Sequence, residues 1–565
     1  MKMKKKLAIG IENYKELIDK SYHYVDKTLL IQSLLDDGNK VTLFTRPRRF
    51  GKTLTLSMLK AYFENEMDWN GKQIENAHYF ANMKIAGTGE EYLSHMGKYP
   101  VISLSLKAAK QPTFQLAHAQ LCEQISNEFS RHRYVLQSSQ LLEHEKNKYE
   151  NLMSGTADEA SYATALKFLS DCLKAYHKEN VIVLLDEYDV PLENAYFREF
   201  YDQMTDFIRS LFESVLKSND SLEFAVITGC LRISKESIFT GLNNLKIISV
   251  LSQSYAEYFG FTPNEVQEML AFYHLSEKRE EIGRWYDGYL FGETEVYNPW
   301  SVINYISDMI KGDSLFPKPY WSNTSSNNIV RTLIEVSDSS VKQEIEGLIA
   351  GHTIEKPVYE DITYEDVHKS QDNLWNFLFF TGYLKSTGQR FKIDTIYVTM
   401  KIPNEEIRYI YRTTIREWFQ EKIKASDYHI LYQDILTGNC TGIENFINDQ
   451  LSDSISYYDN AENFYHEYLL GILGGIPAYE IDSNKEHGNG RPDLILKPNH
   501  PEKPAVIIEL KRVQFFKDMK SACTDALKQI EEKYYAKDLE KEGYTNILKY
   551  GICFCKKSCM VILSE

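Results

Sequence analysis

Three groups of side chains in this sequence have the types and spacing to act on phosphates. The first is Gly51-Lys52-Thr53, within "TRPRRFGKTLTLSMLK" (45–60). A loop of this kind surrounds an anion with backbone N–H groups and a helix N-terminus, and a lysine adds charge. Gly51 permits close backbone approach, Lys52 can reach the β and γ phosphates of a nucleotide, and Thr53 can hold Mg²⁺. The usual pattern asks for a glycine five residues before Gly51. That place holds Arg46, followed by Pro47. Arg48, Arg49, Phe50 and Leu54 complete the candidate loop, with Arg48 or Arg49 placed to supply phosphate contacts in place of the absent glycine's backbone.

The second group lies at two strand ends. "VIVLLDEYD" (181–189) is an apolar run whose tip presents Asp186 and Glu187. In nucleotide hydrolysis the first such acid holds the metal and the second polarises the attacking water. "FAVITGCLR" (224–232) ends in Thr228 and Arg232. Thr228 can sense a terminal phosphate. Arg232 can either neutralise charge in a transition state or serve as a surface ion-pair residue.

The third group is in "GNGRPDLILKPNHPEKPAVIIELKR" (488–512). Asp493 begins one strand, and Glu509 and Lys511, two apart on the next, project from one face. Ile508 and Leu510 point the other way, into a core. Two carboxylates and a lysine at adjacent strands can hold Mg²⁺, or Mn²⁺, and position water beside a phosphodiester. Oxygen ligands suit these hard ions better than zinc. A third acid has two candidates, Glu467 and Glu486. Gln529 on a following helix, and His466 and His487, are further polar groups whose ordinary reading is a solvated face or a local hydrogen bond.

These residues need elements to carry them. Through the first half, strand-like runs at 40–45, 99–106, 180–189 and 222–230 alternate with helix-like stretches, the pattern of a parallel α/β sheet. From about 255 to 425 the alternation fades into helical segments, an aromatic-rich turn at 284–306 and a helix, hairpin, helix series that predicts a mostly helical, winged-helix-like lid. From about 426 a separate α/β unit begins. The expected domains are 1–254, 255–425 and 426–565.

Composition sets the bounds. At 565 residues the chain exceeds one core. It is 43% hydrophobic and 25% charged, with 39 tyrosines, as expected of a globular protein. Apolar runs are far too short to span a bilayer, and the start has too few apolar residues for a secretory signal, so no membrane partner and a cytoplasmic location are expected. The eight cysteines make no CxxC pair and read as reduced core residues. Net charge is −16, against indiscriminate coating of nucleic acid. Residues 461–565 hold 16 acidic and 15 basic side chains, a net of −1, so the acidity belongs to the first 460 residues.

Taken together, "YVDKT" (24–28), "RPRRFGKT" (46–53), "LLDEYD" (184–189), "TGCLR" (228–232), "WYDGY" (285–289), "YNPWSV" (297–302) and "FFTGYL" (379–384) resemble the AAA-ATPase-like family of prokaryotic proteins, over about residues 7–410. In that family "RPRRFGK[ST]" is the usual loop, which implies that Arg46 is a family trait. The C-terminal group, where Pro492-Asp493 spells out the motif, resembles the PD-(D/E)XK nuclease superfamily over about residues 455–562. That resemblance implies Asp493 and Glu509 as metal ligands and Lys511 as the catalytic lysine of a restriction-endonuclease-like α/β domain. The two together imply ATP and Mg²⁺ as cofactors, nucleic acid (DNA foremost) as partner, and room for a homo-oligomer. The leading expectation is an ATP-binding, ATP-hydrolysing protein with a Mg²⁺-dependent nuclease domain. The alternative is a nucleotide-responsive regulatory or nucleic-acid-binding protein whose nuclease fold is inactive.

Overall fold

Continuous apolar runs, rather than alternating ones, build the first sheet. Val41–Thr45 (β1) and Val181–Asp186 (β3) are buried at every residue, as strands must be when helices cover both faces. With Val101–Ser105 (β2), Leu222–Gly229 (β4) and Leu245–Ile248 (β5) they form one sheet in the order β2-β3-β4-β1-β5, parallel throughout. The covering helices include Lys52–Phe63, Phe114–Arg131, Ala165–His177 and Tyr201–Leu216. Parallel strands all point one way, so the residues that follow β1, β3 and β4 gather at a single edge.

This computed structural model describes residues 5–232, 238–239, 243–314, 316–321, 339–360, 370–425, 428–452, 462–483, 490–556 and 558–564. The chain divides into two compact units, Met1–Ser325 with Thr353–Tyr409, and Ser326–His352 with Ile410–Glu565. Among the described residues no helix is long and apolar enough to cross a membrane.

The first unit continues past the sheet. Tyr289–Phe291 (β6) and Thr294–Val296 (β7) pair as a hairpin inside the aromatic-rich stretch, and the helix Pro299–Lys311 follows, capped by Asn298. The expected series of helix, hairpin and helix is present as Gln371–Phe380, then Lys385–Lys392 (β9) with Thr395–Lys401 (β10), then Glu405–Ala425, whose residues from Ile410 on belong to the second unit. A third strand, Ile354–Val358 (β8), joins the hairpin in the order β8-β10-β9.

The second unit carries a mixed sheet of Tyr479–Ser483 (β11), Leu494–Pro498 (β12), Ala505–Arg512 (β13), Ile547–Cys555 (β14) and Ser558–Leu563 (β15), in sequence order. Only β13 and β14 are parallel, and the helix Met519–Glu532 makes their crossover. Ile508 and Leu510 face a core shared with Leu494, Leu496, Tyr550 and Ile552. Ile507 faces the other way, against Ile530 and Tyr535.

One buried acid of the first unit gives its stability a pH signature. Glu406 is fully buried and accepts from Ser301 Oγ at 2.8 Å and from the Trp321 N–H at 2.9 Å. Burial pushes its pKa up to about 7. A carboxyl raised in the folded state favours folding below its unfolded pKa and loses that contribution as pH rises through the folded value. Glu406→Gln keeps the neutral shape at every pH. Thermal denaturation should therefore show the variant gaining on wild type between pH 5 and pH 8, by up to roughly 3 kcal/mol. Parallel pH profiles for the two proteins would refute this.

Candidate functional site

The strand β1 ends at Thr45, and the chain turns through Arg46–Gly51 before the helix Lys52–Phe63 begins. Two left-handed residues make the turn, Arg49 at φ +72° and Gly51 at φ +84°. Gly51 caps the helix with its conformation rather than with a side chain, which leaves the first backbone N–H groups of the helix for another partner. Lys52 is buried and donates to the carbonyls of Arg46 at 2.9 Å and Pro47 at 3.0 Å. Its charge thus rests on loop oxygens that a phosphate can replace.

Beside the loop, the β3 and β4 ends are tied to it through one carboxylate. Asp186 accepts from Thr53 Oγ1 at 2.7 Å on one oxygen and from Thr228 Oγ1 at 2.5 Å on the other. The next residue, Glu187, has φ +51°, a left-handed backbone that is uncommon for a residue other than glycine. Burial pushes the Glu187 pKa up; Lys52 opposes the rise and Asp186 adds to it. Asp189, not singled out from sequence, is also buried and accepts from the N–H groups of Cys230 and Leu231 at 2.7 and 3.1 Å. It locks the β4 end against β3. Gly229 has to be glycine here, since a Cβ would meet the Tyr188 ring at 2.4 Å.

Each arginine of the loop and of the β4 end has partners in this structure, and Arg48 and Arg49 also line the adjoining cleft. Arg46 has no exposed surface. It donates to the carbonyls of Thr45 at 3.0 Å and Ile248 at 3.1 Å, and its guanidinium lies 5.4 Å from the Phe259 ring and 4.7 Å from that of Phe291. Burial lowers its pKa to about 9. Arg48 pairs with Glu193, and Arg49 lies over Trp300 at 4.1 Å. Arg232 sits 3.6 Å from Glu360 in an ion pair. Phe50 is buried against Tyr289 and Phe291, and Pro47 packs at Gly382.

A cleft of about 350 Å³ opens over Lys52, Thr53, Leu54 and Glu187, walled by Tyr24, Phe261, Trp300 and Ile303 among others. That volume is at the small end of ligand pockets, roughly 300–1,000 Å³. The lining mixes charged groups, Arg48, Arg49, Lys52 and Glu187 among them, with aromatic and aliphatic side chains.

In the second unit, β12 pairs with β13 at Leu494↔Ile508, so one further step sets Asp493 against Glu509. Asp493 accepts from the Leu510 N–H at 2.8 Å. Glu509 is only 3% exposed. Its Oε1 receives Gln529 and lies 3.3 Å from Lys511 Nζ, whereas its Oε2 is buried without a hydrogen-bond partner among the described residues. Lys511 also donates to Gln529 at 2.7 Å. Burial, with Asp493 beside it, pushes the Glu509 pKa up to about 7. An unpartnered buried carboxylate oxygen next to a second carboxylate is a donor set that fits a hard cation. Gln529 is therefore a bridge between Glu509 and Lys511, not a solvated residue. His466 Nε2 lies 2.9 Å from the Asp493 carbonyl and 3.0 Å from Ser483 Oγ, a local contact. The Glu467 side chain, Glu486 and His487 lie outside the described residues. Among the described residues no three His, Cys, Asp or Glu side chains cluster as a metal site.

Two stretches of the chain match family models. Residues 8–239 match the family model described as predicted AAA-ATPase, and residues 460–563 match that of the PD-(D/E)XK nuclease superfamily. A curated relative from Azotobacter chroococcum mcd 1, an uncharacterized protein in the vnfD 5′ region, is 29% identical over 345 residues. The match covers 59% of this chain and 56% of that protein.

Arg46 stands where the usual loop has glycine, yet its packing makes it a structural member. Arg46→Gly should empty the ring cage and orphan two carbonyls, lowering stability by roughly 3 kcal/mol in denaturant melts. Arg46→Met, which keeps most of the volume, should lose less. A glycine variant as stable as wild type would show that the cage holds nothing.

Proposed function

We propose that this protein binds and hydrolyses ATP through the β1, β3 and β4 ends, and that its C-terminal unit is a Mg²⁺-dependent nuclease cleaving phosphodiester bonds in DNA. The observation supporting the first half is the Asp186 carboxylate, held at once by Thr53 and Thr228 beside Lys52. Those three residues would hold the nucleotide and its metal, with Lys52 giving up its loop carbonyls for phosphate oxygens. Glu187 would take a proton from water, a role that suits its raised pKa. The second half rests on the partnerless Glu509 oxygen beside Asp493, with Lys511 in reach. A bound divalent ion would supply Lewis-acid stabilisation of negative charge there. Lys511 and Gln529 would orient the Glu509 carboxylate, and Asp493 would complete the ligand pair.

The division of labour among 1–254, 255–425 and 426–565 is part of this proposal, with nucleotide turnover gating the access of nucleic acid to Asp493 and Glu509. Arg232, paired with Glu360 in this structure, would reach a nucleotide only after exchanging that partner.

Each half has its own readout. Phosphate release from ATP should vanish in Lys52→Ala, while Glu187→Gln should still bind ATP but turn over at least about a hundredfold more slowly. Linear, nicked and single-stranded DNA incubated with Mg²⁺ or Mn²⁺ should be cut by wild type and left intact by Asp493→Ala and Lys511→Ala. Absence of cleavage by wild type under every condition, with ATP and without, would favour the regulatory alternative, to which the near-even charge of residues 461–565 already lends support.

A further inference from the structure

The strand that carries Glu509 and Lys511 runs directly into an exposed aromatic pair. After Arg512 the chain reads Val513-Gln514-Phe515-Phe516-Lys517, and both phenyl rings are 59% exposed. The turn that displays them is held by its backbone. Val513 donates to the Phe554 carbonyl at 3.0 Å, and Asp518 donates to that of Phe515 at 3.0 Å. An apolar core is close at hand, because Val513 packs on the cluster of Met519, Cys523, Cys553 and Cys555. The two rings stay outside it.

Charge around the pair is mostly positive. From Lys511 to Lys520 there are four cations, Lys511, Arg512, Lys517 and Lys520, against one acid, Asp518, in a chain of net charge −16. Lys517 Nζ lies 5.5 Å from the Phe515 ring. Phe515 lies four positions after Lys511, so its backbone stands no further than about 14 Å from that of the lysine. Exposed aromatic faces interleaved with cations are what an unpaired nucleic-acid strand requires: bases stack on rings and phosphates meet the charges. A duplex keeps its base faces covered and offers a pair of phenyl rings nothing to stack on. A protein partner would match the rings but not the concentration of positive charge.

We propose that Phe515 and Phe516 form a stacking platform for single-stranded nucleic acid, delivering an unpaired strand to Asp493, Glu509 and Lys511. This rests on the reading of those three residues as a phosphodiester-cleaving centre. It goes further by naming the unpaired strand as the substrate form and the residues that grip it.

The test uses the full chain with Ca²⁺ in place of Mg²⁺ and fluorescein-labelled oligo-dT, oligo-U and a DNA duplex, read by anisotropy across salt concentrations. Phe515→Ala with Phe516→Ala should weaken single-strand binding by about tenfold or more, leaving the salt slope unchanged, because stacking and not charge has been removed. Lys517→Ala should instead lower that slope by about 0.7. Phe515→Trp with Phe516→Trp should restore affinity, and its tryptophan emission should be quenched by oligonucleotide beyond any change in wild type. Melting temperatures check the fold of each variant, and truncating exposed rings removes little packing. Oligo-dT against oligo-U tells DNA from RNA as the source of the strand.

Single-strand affinity unchanged in the double alanine variant would overturn the platform, as would unquenched tryptophans or a wild type that binds only duplex. Phenyl-dependent binding in a wild type that cuts nothing with Mg²⁺ or Mn²⁺ would uphold the platform and sink the nuclease reading. The two failures are thus separable.

Discussion

A buried cation organises the loop that follows the first strand of the N-terminal sheet. Arg46 takes the place that a glycine holds in the usual loop, and its guanidinium lies against Phe259 and Phe291 with, among the described residues, the carbonyls of Thr45 and Ile248 as its hydrogen-bond partners. Removing a cation from water is expensive unless its surroundings replace the lost hydration. Here two ring faces, each contributing up to about 2 kcal/mol to a desolvated cation, and two carbonyls share that work. The rings come from segments more than two hundred residues further along the chain, so the loop cannot take this shape until the sheet and the aromatic-rich stretch have met. Phe50 against Tyr289 and Phe291, Pro47 at Gly382 and Arg49 over Trp300 extend the same dependence along the loop. A glycine-rich loop gains its form from backbone freedom. This one gains it from packing, with Arg49 and Gly51 supplying its two left-handed positions.

The two acidic centres solve the burial of carboxylates in opposite ways. Asp186 has both oxygens satisfied by hydroxyls of neighbouring elements, so its position is set before any ligand arrives. Glu509 has one oxygen satisfied by Gln529 and Lys511 and one left bare. A bare buried carboxylate oxygen is costly, and the rise of its pKa to about 7 is the expression of that cost. A proton or a cation relieves it, and above neutral pH the proton is the weaker competitor. The first centre is preorganised, whereas the second waits for a charge.

Much of this was legible in the sequence because the informative residues sit at strand ends. Apolar runs such as "VIVLL" followed by acids fix strand, direction and tip together, and the i, i+2 spacing of Glu509 and Lys511 assigns their face. Ile508 and Leu510 do turn to the opposite core. What could not be read was whatever depends on distant partners. The edge strand β5 is short, with only Ile248 of its four residues fully buried, and β11 and β15 flank their sheet in the same unobtrusive way. The cage of Arg46 needs Phe259 and Phe291, which no local pattern links to a loop at residue 46. Gln529 stands out in the sequence as a helix-borne polar residue whose ordinary reading is a solvated face, and the crossover between β13 and β14 is what brings it onto Glu509.

Pairs of aromatic rings and cations recur in this protein, and exposure decides what each can do. Around Arg46 the charge and both rings are sealed, so their attraction is spent on holding the loop, with no face left for a ligand. At Arg49 and Trp300 the pair borders the cleft and shapes its wall. At Phe515 and Lys517 the rings and charges face solvent on a turn whose backbone is already tied down. Water satisfies the charge there but not the phenyl faces, so the free energy of covering them remains available to a partner that brings both flat apolar surfaces and negative charge. A chain whose acidity repels polyanions at long range needs such a local exception if a nucleic acid is to reach Glu509, and the stretch from Lys511 to Lys520 is where the sequence provides one.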